Sequence, residues 1–304
     1  MTDSSDLLEA TRKDLARLLG AEPEEIVVTR SSSEAINIVI QGLPLQVGDE
    51  VVASDQDYTA VDQVLNQRAR YDGIVVSRVS LPLDPADDEE IVRLFEAKIT
   101  PRTRLILVSH LVHLSGQILP AAKLCALGRR HGIPVFVDAA HSFCQIDFSV
   151  DLNCDYLCAS LHKWLGTPLG SGLLYVRKLE RFGNRPDSIH AGIREAVRWH
   201  EALGTPVKQA RLSYLQRSWT EPLRLVPGFR VLTPRAPGHS GALGLLAHES
   251  IPAEVLCERL MRENRIFTSV QKLPSVAGVR IVPGLPTSLK EITALLEALT
   301  ELRN

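Results

Sequence analysis

The chain's pattern predicts an α/β fold: a mostly parallel central sheet covered by helices, followed by a smaller C-terminal α+β domain. Three observations carry this expectation. Short strands alternate with helical segments from about residue 6 to 178. Those strands are apolar throughout rather than on every second residue, as in a sheet buried on both faces. After residue 178 the rhythm breaks, with two helical stretches in succession and then a less regular mixture. The break lies between 180 and 205. It divides the chain into a large domain, 1–185, and a second part, 186–304, made of linking helices and the small domain.

The elements follow in order. Leu7, Leu8, Leu15, Leu18 and Leu19 recur at helical spacing within residues 6–19. "EEIVVTR" is a strand, and "SSEAINIVIQGL" a helix that opens on serines and stops at Gly42. "DEVVAS" is the next strand, then a helix to about Arg70, then the strand "GIVVSRV". A charged helix covers 87–98 and "RLILVS" is a strand. "PAAKLCALGRRHG" is a helix with Pro at its start and Gly at its end. "IPVFVDAA", "CDYLCAS" and "SGLLYVR" complete the sheet. Helices over 187–202 and 206–225 lead into "GFRVLTP", "GALGLLAHE", a helix at 252–263, "RIFTSV", "GVRIVPG" and a last helix from Thr287.

Composition narrows the function classes. The 304 residues carry a formal net charge of −2, with both signs scattered along the chain. No basic tract points to nucleic acid or an anionic membrane. No apolar run approaches the roughly 18 residues of a membrane-spanning helix. The first twenty residues read as an acidic amphipathic helix rather than a secretory signal. Five cysteines, an odd number, show no disulfide framework, and Cys154 and Cys158 lack the partners of a zinc site. These features predict a cytoplasmic protein with reduced thiols and no metal.

Polar residues gather after the strands, where ligands of open α/β sheets bind. Ser31, Ser32 and Ser33 follow "IVVT" and open a helix. Helix N-termini bind phosphate, although serines there also serve as plain caps. Asp138 ends "IPVFVD", His141 follows three residues on, and Lys163 follows "CDYLCAS" in Ser-Leu-His-Lys. Each alone has an ordinary reading as a cap, a structural histidine or a solvated lysine. A buried lysine is costly unless it is paired or used covalently. Together, and in this order, the set describes an anion cradle, an acid and an amine.

The stretches "VVTRSSSEAINIVIQGL", "GDEVVASDQDYTAV", "LVSHLVHLSGQILP", "VFVDAAHSFCQIDF" and "CDYLCASLHKWLGTPLGSGLLYVRK" resemble the class V aminotransferase family. This is a group of fold-type I pyridoxal 5'-phosphate (PLP) enzymes that includes cysteine desulfurases and isopenicillin N epimerase-like enzymes. The resemblance implies a fold-type I PLP-transferase and assigns roles by position. Lys163 would form the Schiff base with the cofactor and move the substrate α-proton. Asp138 would pair with the pyridinium nitrogen, with His141 beside the ring and Tyr58 stacked on it. Ser32, Ser33, Ser160 and His162 would hold the phosphate, and Arg280 in "GVRIVPG" would grip a substrate carboxylate.

The resemblance also has departures. Relatives carry several dozen residues before the helix that here opens near Asp6, and a longer stretch after "LLYVRK". A Gly-Thr that reaches the neighbouring subunit's phosphate corresponds to Gly183-Asn184, so Asn184 takes that place among the cofactor contacts. His113, a further contact, stands where desulfurases have Asn. The loop "RIFTSVQKLPSVAGVRI" holds no cysteine, so persulfide chemistry is disfavoured. The implied function is PLP chemistry at the α-carbon of a small amino acid, of epimerase, C–S lyase or aminotransferase type, in a homodimer. The alternatives are a shortened non-catalytic relative acting as a binding partner, and an α/β protein that binds another phosphate ligand.

Overall fold

A computed structural model describes residues 4–177 and 187–301 of the chain. The chain divides into two compact units. The first comprises Met1–Leu81, Asp87–Leu111 and Leu119–Thr205; the second comprises Pro82–Ala86, Val112–Ile118 and Pro206–Asn304.

The first unit is built on seven strands: β1 (Ile26–Thr29), β2 (Glu50–Ser54), β3 (Val75–Val79), β4 (Thr103–Ser109), β5 (Val135–Asp138), β6 (Tyr156–Ser160) and β7 (Gly172–Val176). Their order across the sheet is β1-β7-β6-β5-β4-β2-β3. Strands β6, β5, β4, β2 and β3 run parallel, while β7 is antiparallel to both β6 and β1. Apolarity does not reveal strand direction when both faces are covered, so this reversal has another cause. The link Leu161–Ser171 is too short for the crossover that a parallel neighbour needs.

The helices of this unit are α1 (Ser4–Leu19), α2 (Ser32–Gly42), α3 (Thr59–Asp72), α4 (Asp88–Glu96), α5 (Ala121–His131), α6 (Leu161–Trp164) and α7 (Asp187–Leu203). Ile36 and Ile40 of α2 and Val61 and Leu65 of α3 bury their faces against Val51, Leu105, Leu107 and Phe136 of the sheet. Helix α7 packs beside α1 in this unit, whereas a division at residue 185 assigns it to the second part.

Gly172 controls the closest approach in the sheet. A Cβ there would lie 2.7 Å from the Ser31 backbone and from Thr29 Oγ1. Its absence lets β1 and β7 seat the start of α2 beside the end of β6, because Thr29 and Ser160 both pair with Gly172. Gly172→Ala is expected to lower unfolding stability by about 1–3 kcal/mol, as overpacking does. Urea melts check this; a wild-type melt contradicts it.

The second unit begins with α8 (Thr205–Leu223), followed by β8 (Phe229–Val231), β9 (Gly244–His248), α9 (Ala253–Asn264), β10 (Ser269–Lys272), β11 (Ala277–Ile281) and α10 (Leu289–Glu301). Its four strands form an antiparallel sheet, ordered β10-β11-β9-β8. Trp219, Leu246, Leu256, Val279 and Leu295 lie in its core. Among the described residues, no helix is long and apolar enough to cross a membrane.

Candidate active site

The site lies at the carboxyl ends of the parallel strands of the first unit. Ser109, Asp138 and Cys158 stand abreast on β4, β5 and β6. Asp138 is buried. Its Oδ1 accepts from the Ala140 N–H at 2.9 Å and from the Cys158 thiol at 3.6 Å. Burial raises its pKa above the usual carboxylate range, opposed by the Ala140 N–H, the Lys163 charge and the Cys158 S–H.

An anion cradle forms where α2 meets β6. Ser31 caps the helix, its hydroxyl accepting from Glu34 N, while the Glu34 carboxylate reaches back to Arg30 N. This reciprocal capping fixes the first turn. Ser32 donates its N–H to Ser160 Oγ at 3.1 Å, and the two hydroxyls lie 2.8 Å apart. Ser33 follows on the same turn and lines a cleft of about 490 Å³ with Asn37, Tyr58 and Gln63. His162 Nδ1 lies 3.2 Å from the Ser171 carbonyl, which can only accept. That bond leaves Nε2 as a donor to an anion only in the imidazolium form.

Lys163 sits on α6, the short helix that follows β6. Its Nζ is 3.0 Å from His141 Nε2 and 5.8 Å from the centroid of the Tyr58 ring. The lysine is half-buried rather than sealed. His141 comes from the turn after β5, so three strand ends converge on the amine.

Sequence reasoning missed the anchor beneath Tyr58. Asp57 is buried, its Oδ2 accepting from Ser54 N and its Oδ1 from Ser109 Oγ, each at 2.7 Å. Arg78 Nη1 is 3.8 Å away. The only signal in the sequence was an acid beside the aromatic residue after β2. Burial pushes the Asp57 carboxyl up to about 7, against the hydroxyl, the N–H and Arg78. The unfolded chain releases this proton near pH 4. The stability from neutral Asp57 is therefore fully present below about pH 4 and is lost as the pH rises towards 7. Asp57→Asn removes the titration, so its stability should fall less than wild type over that window, by about 2–4 kcal/mol. Urea unfolding at several pH values checks this; equal slopes contradict it.

The remaining candidates lie elsewhere. His113 and Arg280 belong to the second unit, where Arg280 Nη1 donates to the His113 carbonyl at 3.1 Å. Asn184 lies outside the described residues.

The donor set of the first unit is chemically matched to PLP. It offers an amine for a carbonyl, a buried acid for a ring nitrogen, and N–H and hydroxyl donors at a helix start for phosphate. The close approach at Gly172 leaves no room for a side chain between β7 and that cradle.

Comparison with known proteins agrees with this chemistry. The family described as aminotransferase class-V matches residues 1–203. The isopenicillin N epimerase of Streptomyces clavuligerus is 31% identical over 339 aligned positions, covering 97% of this chain and 84% of the epimerase. A probable cysteine desulfurase of Synechocystis is 32% identical over 180 residues, covering 58% of this chain and 42% of that protein. Among solved structures, the cystine C–S lyase C-DES superposes with a TM-score of 0.86 at 22% identity, covering 98% of this chain and 87% of that one. The cysteine desulfurase CsdA of Escherichia coli gives a TM-score of 0.85 at 21% identity, covering 98% and 84%. With two-thirds of its length matched by the family and the epimerase similarity running nearly end to end, the chain belongs to the aminotransferase class-V family and is a PLP-dependent enzyme.

Proposed function

We propose that the protein removes and returns the α-proton of a small amino acid, in the epimerase branch of its family. The observation that carries this reading is the Lys163–His141 pair, two nitrogen bases 3.0 Å apart. A proton taken by one can pass to the other without leaving the site. PLP, when bound, would supply an electron sink for the substrate α-carbon. Lys163 would hold the cofactor carbonyl and serve as the base. Asp138 would keep a positive charge on the ring nitrogen. His141 would receive or orient the lysine's proton, and Tyr58 would contact the ring. Ser32, Ser33, Ser160 and His162 hold the phosphate, while Asn184 reaches the phosphate of the neighbouring subunit. Arg280 binds the substrate carboxylate, with His113 as its backbone partner.

The cysteines weigh against persulfide chemistry. Cys125, Cys144, Cys154 and Cys158 are buried, and Cys257 is half-buried. Burial pushes the Cys125 thiol up to about 12 and also raises those of Cys154, Cys158 and Cys257. A persulfide-forming nucleophile must be a thiolate. The sequence match to desulfurases also covers only about three-fifths of the chain, although the fold match does not stop there, whereas the epimerase sequence match covers 97%. The non-catalytic reading draws nothing from these findings.

A panel of amino acids in deuterated water tests the proposal. Deuterium should enter at the α-carbon with inversion of configuration. Release of pyruvate and sulfide instead would favour a C–S lyase, and a keto acid without either would favour transamination. In this reading the enzyme is a cytoplasmic homodimer. Leu169, 83% exposed in the loop after α6, is apolar surface that a second subunit could cover. Sedimentation at low concentration checks the dimer; a monomer at full activity contradicts it.

A further inference from the structure

We propose that Cys158 is a positioning residue for the cofactor-facing acid: its S–H holds Asp138 Oδ1, leaving Oδ2 to meet the ring nitrogen. This rests on the reading that Asp138 faces that nitrogen.

Four contacts converge on the idea. Asp138 and Cys158 are direct partners in the parallel register of β5 and β6. The Ala139 N–H donates to the Cys158 carbonyl at 2.8 Å, which fixes the two backbones against each other. On the other flank, the His110 N–H donates to the Asp138 carbonyl at 3.0 Å. The thiol then lies 3.6 Å from Oδ1, the same oxygen that the Ala140 N–H reaches at 2.9 Å. Two donors on one oxygen fix the rotation of the carboxylate.

The choice of a thiol has a physical reason. Cys158 also packs in the apolar cluster with Leu107, Phe136 and Leu174. Sulfur fills such a site as a small hydrophobe and still carries a weak donor. Burial keeps it protonated, raising its pKa well above the usual thiol value. The S–H favours the charged carboxylate, so its loss leaves Asp138 less charged and less well aimed. A cysteine that only filled space would be replaced at least as well by alanine as by serine, whose hydroxyl costs more in apolar surroundings.

The test combines the apo-protein and the loaded enzyme. In the apo-protein, the infrared S–H band of Cys158, isolated as wild type minus Cys158→Ala, should lie at low wavenumber and move up in Asp138→Ala. In the loaded enzyme, Cys158→Ala should bind PLP roughly threefold to tenfold more weakly. Cys158→Ser, which keeps a donor, should stay within about twofold of wild type. Circular dichroism sets aside a variant that does not fold, and the wild-type infrared band still decides. A band indifferent to Asp138→Ala, or equal affinities for the alanine and serine variants, overturns the proposal. Borohydride labelling of Lys163 separates the two readings. Labelling with unchanged Cys158→Ala affinity sinks only the role of the thiol, and no labelling in wild type sinks the cofactor placement.

Discussion

Lys163→Ala is expected to lower turnover by at least about a thousandfold and to leave nothing for borohydride to label. Two separate losses add. The variant has no amine to hold the cofactor carbonyl, and it has no base beside His141 to take the α-proton. His141 remains in place, but it was 3.0 Å from the missing nitrogen and cannot also replace the covalent hold. Lys163→Arg should fail as well, because a guanidinium stays protonated and cannot act as a nucleophile or base. Full far-UV circular dichroism with lost activity supports this account. Activity within tenfold of wild type in either variant contradicts it.

Asp138→Asn should have the second largest effect, with opposite signs for the loaded and the empty protein. An amide cannot balance a charged ring nitrogen, and breaking a buried charge pair costs about 3–5 kcal/mol. Activity and PLP affinity together should therefore fall by two to three orders of magnitude, about 1.4 kcal/mol per tenfold. The empty protein should gain stability instead. Burial penalises the Asp138 charge, and an amide in the same place has none to bury. The amide oxygen can still accept from Ala140 N and from the thiol. Thermal melts with and without PLP measure both signs. A variant that melts lower than wild type when empty and is fully active when loaded contradicts the assignment of this acid.

Much of the frame was legible in the sequence because strand ends carry distinctive residues. The apolar run of β5 stops on Asp138, and that of β6 runs to Ser160 just ahead of Lys163, so their convergence followed from a parallel sheet alone. The reversal of β7 was not legible, since buried strands look alike in either direction and only the length of the preceding link carries the signal. Asp57 was hidden because its role depends on Ser109, which comes from β4, far along the chain. Cys158 read as a core residue, and so it is; its second use shows only when the register of β5 and β6 is known. His113 and Arg280 were identified by position in a motif, and their hydrogen bond within the second unit joins segments that no local pattern connects.

The covalent attachment of the cofactor is the centre of the account. Purified protein incubated with PLP, reduced with borohydride, digested and mapped by mass spectrometry should carry a single pyridoxyl group on the peptide containing Lys163. A pyridoxyl group on Lys123, Lys208 or another lysine, or on none after saturating PLP, would contradict it.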